Sequence, residues 1–491
     1  MKPETTPQTE PAQPLSIFRN WISLTGLVTS LGGLFSFFLL LLLDLMAKQS
    51  NPYVGILTYM VAPAFIVGGL AIFVFGGWWR RRTIIKTTGK KPTLRIDFSL
   101  PKDRKAFAFI LCGGIFFLFV SAIGSYQTYH FTESVQFCGQ ACHQVMKPEL
   151  VTYLHGPHAR VSCAECHIGK GAGWFVKSKL SGTYQVYAVA FNKYPRPVPT
   201  PVKNLRPAQD TCEQCHWPQK HVGNMERTYN YFLTDPTNTP FTVRMVLNVG
   251  GADPKHGTAG GIHYHVATKV EYLATDEERQ KIPYVRVTSE DGKVTEYRTP
   301  RFTNEVSQAE LRRMDCMDCH NRPAHRYKSP SAAVNLAMSL GRISPEIPSI
   351  KSNAVYALVQ KYTDETQAVE SIGKHLSQSY PGDTRVEKVV AEVQQIYRDN
   401  FFPEMKANWA AYPENIGHKD WMGCFRCHDD SHKSADGKKI IESSNCNACH
   451  TIIAQGRGDE LMQITPKGQK FKHPDGEEVE GGCNDCHTGG L

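Results

Sequence analysis

Fourteen of the 15 cysteines lie in pairs followed at once by a histidine. Six copies read Cys-x-x-Cys-His: Cys163/Cys166–His167, Cys212/Cys215–His216, Cys316/Cys319–His320, Cys424/Cys427–His428, Cys446/Cys449–His450 and Cys483/Cys486–His487. A seventh has one extra spacer residue, Cys138-Gly-Gln-Ala-Cys142-His143. This spacing lets two thiols add across the two vinyl groups of a haem while the adjacent imidazole ligates the iron. Random placement of these cysteines and histidines would give roughly 0.02 such motifs, so six are not chance. Seven covalent haem c groups are expected, and the chemistry they bring is electron transfer.

Other uses of the cysteines fit badly. Structural zinc takes four thiolate or imidazole ligands, usually as two close pairs, whereas the spacers here are long and irregular. A thioredoxin-type pair needs no following histidine. Disulfides would not repeat this register. Cys112, the remaining thiol, lies in an apolar run and is expected to be an inert buried side chain.

Seven proximal histidines, His143, His167, His216, His320, His428, His450 and His487, leave 12 others for the opposite face of the iron. A bis-histidine iron keeps six ligands in both oxidation states, which suits outer-sphere transfer. His158, His221, His325, His418 and His473 lie near motifs and are expected ligands. His432, four residues after His428, is a further candidate, as is the pair His263/His265. That pair alternates on an expected strand, so one of the two would face a given haem. Local spacing does not tie a histidine to the local motif. His155, His256 and His375 are not expected to ligate, and His130 is left open. Met146, three residues after His143, is either a thioether ligand that raises the haem potential or a packing residue.

Three long apolar segments must carry this machinery: about 21–47, 53–79 and 106–127. Each is long enough to span a bilayer. The first is too long for a signal-peptide core and is read as retained. The loop 80–105 holds Arg80, Arg81, Arg82, Lys86, Lys90, Lys91, Arg95, Lys102, Arg104 and Lys105, which keeps it in the cytoplasm. The N-terminus is then inside, and the third span delivers every motif to the periplasm, where bacterial haem c is attached. Much of the net charge of +9 belongs to this loop, so it does not imply nucleic-acid binding.

The expected fold is a membrane-anchored multihaem cytochrome: three N-terminal transmembrane helices, then a loop-rich, mainly α periplasmic domain with a small β insertion. Residues 1–14 are polar, Pro-rich and expected to be disordered. Residues 128–227 hold three motifs, and Gly173–Phe191 within them is amphipathic and helical. Residues 228–310 are expected to form the β insertion, from TPFTVRMVLNV, HYHVATKVEYLA, YVRVTSEDG and KVTEYRTPRF, with a turn at Asp291-Gly292. Residues 311–415 hold the fourth motif and helices over Ala354–Tyr362, Thr366–Ser379 and Arg385–Asn400. Residues 416–491 carry the last three motifs. Much of the core is expected to be porphyrin.

A helix leading into TESVQFCGQACHQVMKPE, then HGPHARVSCAECHIGKG, then LRPAQDTCEQCHWPQKHVG, resembles the NapC/NirT family of quinol-oxidising cytochromes over roughly residues 106–225. The whole chain, with CMDCHNRPAH in its middle, resembles the larger heptahaem branch of metal-respiring bacteria. The resemblance implies menaquinol oxidation at the outer face of the inner membrane, with electrons accepted at the Cys138/Cys142 haem and passed to periplasmic c-type cytochromes or a reductase. It also implies a methionine ligand there, matched by Met146, and a lysine at the quinol pocket, matched by Lys177 or Lys179. The family's accompanying carboxylate has no counterpart in Ser181–Ala190. The extra spacer residue departs from the family pattern and favours Met146 over His143.

Two other function classes remain at this stage. One is a terminal reductase, which needs an iron with an open sixth position. The other is a wiring subunit of a larger respiratory complex with no quinol site of its own. A homo-oligomer or larger assembly is compatible with either.

Overall fold

The computed structural model describes residues 20–46, 57–89, 98–99, 101–140, 143–169, 171–202, 205–218, 220, 223–251, 253, 260–474, 476 and 482–490. The expected disordered tail, the short connection after the first span, Lys90, Lys91 and Arg95 of the basic loop, Cys142, His221 and His256 lie outside the described residues. The chain divides into two compact units, Met1–Ala141 and Cys142–Leu491.

The first unit is helical. Helices α1 (Trp21–Met46) and α2 (Ala62–Thr88) are 26 and 27 residues long. At about 1.5 Å per residue each exceeds the roughly 30 Å bilayer core. By length and composition, Trp21–Leu43 and Ala62–Thr87 can each cross a membrane. Both are apolar nearly all round, with Leu31, Phe35, Val67 and Val74 exposed, as a lipid-facing helix requires. The pair packs through small residues. A Cβ at Gly26 would collide with the Phe73 backbone, and one at Gly76 with Ser23. The Ser23 hydroxyl donates to the Phe73 carbonyl at 3.0 Å and the Ser30 hydroxyl to the Ile66 carbonyl at 3.0 Å. Close backbone approach with hydroxyl bridging is how apolar helices associate when no hydrophobic difference drives them together. Helix α3 (Pro101–Thr132) runs for 32 residues, and its apolar stretch by the same test is the shorter Phe107–Phe116. Val120 packs on the cluster of Phe37, Ala62 and Ile66.

The second unit opens with α4 (His143–Leu154) and α5 (Ala172–Ala190). Its side-chain core lies elsewhere, in four helices that carry no haem motif. These are α6 (Pro330–Ser339), α7 (Ile350–Val359), α8 (Glu365–Ser379) and α9 (Val386–Asn400). Helix α6 starts where Ser329 caps the Ala332 amide with Pro330 behind it, and Asp364 caps α8 through the Gln367 amide. Val334, Ile347, Val355, Ile372, Leu376 and Val393 meet at zero exposure in one cluster.

The strands form two antiparallel sheets rather than one insertion. Strands β1 (Met225–Phe232) and β2 (Pro240–Leu247) pair with β7 (His450–Gly456) in the order β1-β2-β7. Strands β3 (Lys269–Leu273), β4 (Tyr284–Thr288), β5 (Val294–Arg298) and β6 (Arg312–Arg313) form the second, in the order β5-β4-β3-β6. The turn between β4 and β5 passes through Gly292 at φ 78°. His263 and His265 are not on a strand. They sit on consecutive helical turns, Gly261–His263 and Tyr264–Ala267, entered through Gly261 at φ 59°. The expected alternation of those two rings is therefore replaced by helical spacing.

Candidate functional site

In all six regular motifs the first cysteine lies on a short helical turn. In four of them the histidine amide donates to the first cysteine's carbonyl: His216 to Cys212, His320 to Cys316 and His487 to Cys483 at 2.8 Å, and His428 to Cys424 at 3.1 Å. One helical turn brings residues i, i+3 and i+4 to one side, so both thiols and the imidazole present together. At Cys316 the turn is fixed by a reciprocal cap. Asp315 accepts from the Met317 amide at 2.8 Å, and its own amide donates to Asp318 at 2.8 Å. Asp318 is buried and also accepts from Tyr272, Arg279 and Arg312 at 2.6, 3.1 and 3.0 Å. The second sheet is tied to the fourth motif by this knot.

The histidines then pair across space. His158 faces His216 with ring centres 6.0 Å apart, and His167 faces His325 at 6.3 Å. His265 faces His428 at 5.9 Å, His418 faces His450 at 6.1 Å, and His473 faces His487 at 6.2 Å. Each pair joins one motif histidine to one histidine outside any motif. Two imidazoles bound on opposite sides of one metal, through bonds of roughly 2 Å each, stand with ring centres about 6 Å apart. Four of these rings are also anchored by Nδ1 to a backbone carbonyl: His158 to Pro323 at 3.0 Å, His325 to Glu149 at 2.9 Å, His265 to Ile262 at 2.8 Å and His428 to Glu442 at 3.1 Å. That contact fixes the tautomer and leaves Nε2 for a metal. Burial holds His167, His320, His325, His418, His428, His450 and His487 below the ordinary imidazole range, in the neutral form that binds iron.

Successive attachment sites are neighbours in space. Burial, then Glu165, Cys163 and Cys215, push the Cys166 thiol up, so the second and third motifs are neighbours. Cys316 pushes the Cys212 thiol up and Cys212 pulls that of Cys316 down, which places the third motif beside the fourth. Burial followed by Cys424 raises both Cys319 and Cys449, which places the fifth motif between the fourth and the sixth. His418 faces His450 of the sixth motif, while its neighbour Lys419 acts on Cys483 of the seventh.

Residues 100–198 match the N-terminal region of the NapC/NirT cytochrome c family. The chain is 39% identical over 489 residues to cytochrome c-type protein ImcH of Geobacter sulfurreducens, covering 95% of each. This chain belongs to the NapC/NirT cytochrome c family. No solved structure matches it.

Membership in the NapC/NirT family implies covalently bound haem c and electron transfer. The residues fit that group: thiols in pairs on helical turns, neutral imidazoles, and rings spaced for a metal between them. The other expected residues fall out as follows. Cys138 lies on the helical turn Val135–Gln140, while Cys142 and the His143 side chain are outside the described residues. Met146 is half-buried on α4. His320 has no facing histidine ring among the described residues. His432, expected as a candidate ligand, is a correction. It is buried with both ring nitrogens engaged, Nδ1 by Asp429 at 2.7 Å and Nε2 by the Ile282 carbonyl at 2.7 Å, so no lone pair is left for iron. On these helical turns it is His265 whose ring faces His428. His375 packs against Tyr356 with ring centres 5.1 Å apart, and His130 meets Tyr126 edge-on at 4.4 Å. Cys112, expected buried, is exposed on α3.

Lys177 and Lys179 both ride on α5. Lys177 is exposed, with its ammonium 4.7 Å from the Trp174 ring centre. Val176, Leu180, Tyr184, Tyr187 and Phe191 make an exposed apolar stripe at steps of four, four, three and four along the same segment. Sequence reading missed the neighbours that hold the pairs in place. Tyr153 donates to both the Ala159 and Val161 carbonyls at 2.8 and 2.9 Å. Arg322 lies over Tyr412 at 4.2 Å and reaches Glu149 at 3.6 Å. The only sequence signal for these was their position beside motifs.

Proposed function

We propose that this chain is a quinol-oxidising cytochrome of the bacterial inner membrane, with seven haem c groups, that passes electrons from menaquinol to periplasmic acceptors. The observation that carries it is the set of five histidine pairs at metal-spanning distance. Bound haem supplies a one-electron iron couple at each site. Five sites closed on both faces favour outer-sphere transfer over reduction of a substrate at iron, which disfavours the terminal-reductase reading. The closeness of successive sites from the second to the seventh motif supports conduction along the chain. Ligands exchanged between neighbouring motifs, as in His158 with His216 and His325 with His167, lock adjacent sites to one another.

The quinol end of the proposal rests on family resemblance and on α5. Quinol is apolar and arrives laterally from the bilayer. The stripe Val176–Phe191 offers it, or the lipid interface, an apolar surface. Lys177 or Lys179 holds the quinol oxygen by charge-assisted hydrogen bonding, and the protons leave to the outside. In this reading α3 is the third span, loop 80–105 is cytoplasmic, and residues 142–491 are periplasmic. Met146 is the candidate ligand at the first site, and His221 a candidate opposite His320. Soluble c-type cytochromes or a periplasmic reductase would take the electrons at the C-terminal sites.

Stopped-flow reduction by a menaquinol analogue tests this. Wild type is expected to show rapid haem reduction, slowed at least tenfold in one of Lys177→Ala or Lys179→Ala, with the Met146→Ala protein altered at its first site. Unchanged rates in all three would overturn the quinol-site assignment. No reduction of wild type would overturn quinol oxidation itself.

A further inference from the structure

Arg206 is a cation whose partners are incomplete. Only 11% of its side chain is exposed. Nε and Nη1 are buried and meet no acceptor among the described residues. Nη2 has the Asp210 carboxylate at 4.0 Å, the outer edge of an ion pair, and that carboxylate is itself 54% exposed. No other acidic side chain among the described residues lies within ion-pair distance of it. A guanidinium withdrawn from water needs an anion in good geometry, and one long contact to a solvated carboxylate does not supply it. Nε–H and Nη1–H face different sides of the guanidinium, so each lacks its own acceptor, and an anion is the acceptor that also balances the charge.

The surroundings are shaped for this side chain. Gly169 has φ +66°, and a Cβ there would overlap Nη1 and the arginine stem. Its amide closes the second motif's helical turn by donating to the Ala164 carbonyl at 2.7 Å. Gly169 thus serves twice: it takes a left-handed conformation, and it lets the guanidinium lie on the backbone two residues past His167. Arg206 itself comes six residues before Cys212. The cation therefore stands between the second and third attachment sites.

We infer that Arg206 receives a propionate carboxylate of the haem attached at Cys163 and Cys166, with Gly169 as the opening through which it reaches. The ligand class follows from charge: an ionised carboxylate is what the under-paired guanidinium lacks, and each haem c brings two. A fixed positive charge at the porphyrin edge favours the less positive, reduced iron, so Arg206 raises the potential of that one site. This inference rests on haem attachment and not on quinol oxidation.

The test is a spectropotentiometric titration of the detergent-solubilised full chain with chemical mediators, with haem per chain measured on each sample. Arg206→Gln is expected to keep its haems and to move one titration step to lower potential, with the others in place. The pH at which that step becomes pH-dependent should rise, because the carboxylate has lost its cation. Arg206→Lys should recover most of the shift. Gly169→Ala should reproduce it, since the added methyl displaces the guanidinium. Overlaid wild-type and Arg206→Gln titrations at full haem content would overturn the inference and leave Arg206 a partner of Asp210 only. Should Arg206→Gln fail to mature, Gly169→Ala decides alone: an unshifted titration overturns the inference. Quinol is absent from these titrations, so their failure and that of quinol oxidation are read separately.

Discussion

The four-helix region at 330–400 and the haem-bearing segments around it are stabilised by different means. The helical region is a conventional core: Ile347, Val355, Ile372, Leu376 and Val393 are wholly buried against one another. Around the last motif the picture inverts, with Cys483, Cys486, Met462, Ile464 and Phe471 exposed. Around the third motif Ala208 is the buried apolar residue among its described neighbours. Protein side chains alone fill the first region. The second is arranged around rings held about 6 Å apart, a spacing that side-chain packing has no reason to repeat five times. Where a chain must bind a large apolar prosthetic group, its own apolar residues are thinned and its histidines and glycines positioned instead.

The largest way to break this contrast is to prevent haem attachment. Cys424→Ser with Cys427→Ser should abolish protease protection of residues 416–490 while 330–400 stays resistant, read by limited proteolysis and mass spectrometry. Equal digestion of both would mean that the two regions share one core. Next comes the opposite experiment. Ile372→Ala should cost about 2–5 kcal/mol by leaving a cavity in the helical region, lowering Tm while the haem absorption spectrum is unchanged. A spectral change would couple the bundle to the haem sites.

A sharper comparison sets half-buried His325 against buried His432. His325→Ala should convert one site to a five-coordinate, high-spin spectrum. His432→Ala should leave the wild-type balance of low-spin and high-spin signal unchanged and cost about 1–3 kcal/mol, through loss of its hydrogen bonds to Asp429 and Ile282. Added high-spin signal in the second variant would return His432 to the ligand set. The smallest effect concerns Lys351 on α7. Burial, and then Lys419, lower its pKa to about 8, below the ordinary lysine value. Its neutral form is thus favoured by folding, so stability should rise with pH from about 8 to 10.5 and be flat there in Lys351→Met. Denaturant midpoints at those pH values measure it; equal slopes would place Lys351 in water.

The attachment motifs were legible because they are local and covalent: spacing alone encodes two thioethers and an imidazole. The distal histidines were legible as a group but not as pairs, because His158 and His325 reach across to neighbouring motifs, a tertiary fact. His265 was misread as a strand residue since His-Tyr-His alternation fits a strand until the left-handed Gly261 opens a helical turn. Strand β1, MERTYNYF, was missed because six of its eight residues are exposed and give no apolar alternation. Helix α6 carried a Ser329-Pro330 start signal that its brevity hid. His432 shows the limit of spacing arguments: only its hydrogen bonds reveal that both nitrogens are taken.

The central claim, imidazole pairs closing the iron on both faces, is tested most directly by EPR of the fully oxidised protein with spin quantitation against total haem. Seven attachment motifs and five facing histidine pairs leave two sites without such a pair among the described residues. The account predicts low-spin ferric signal from at least five haems. High-spin signal from three or more would contradict it.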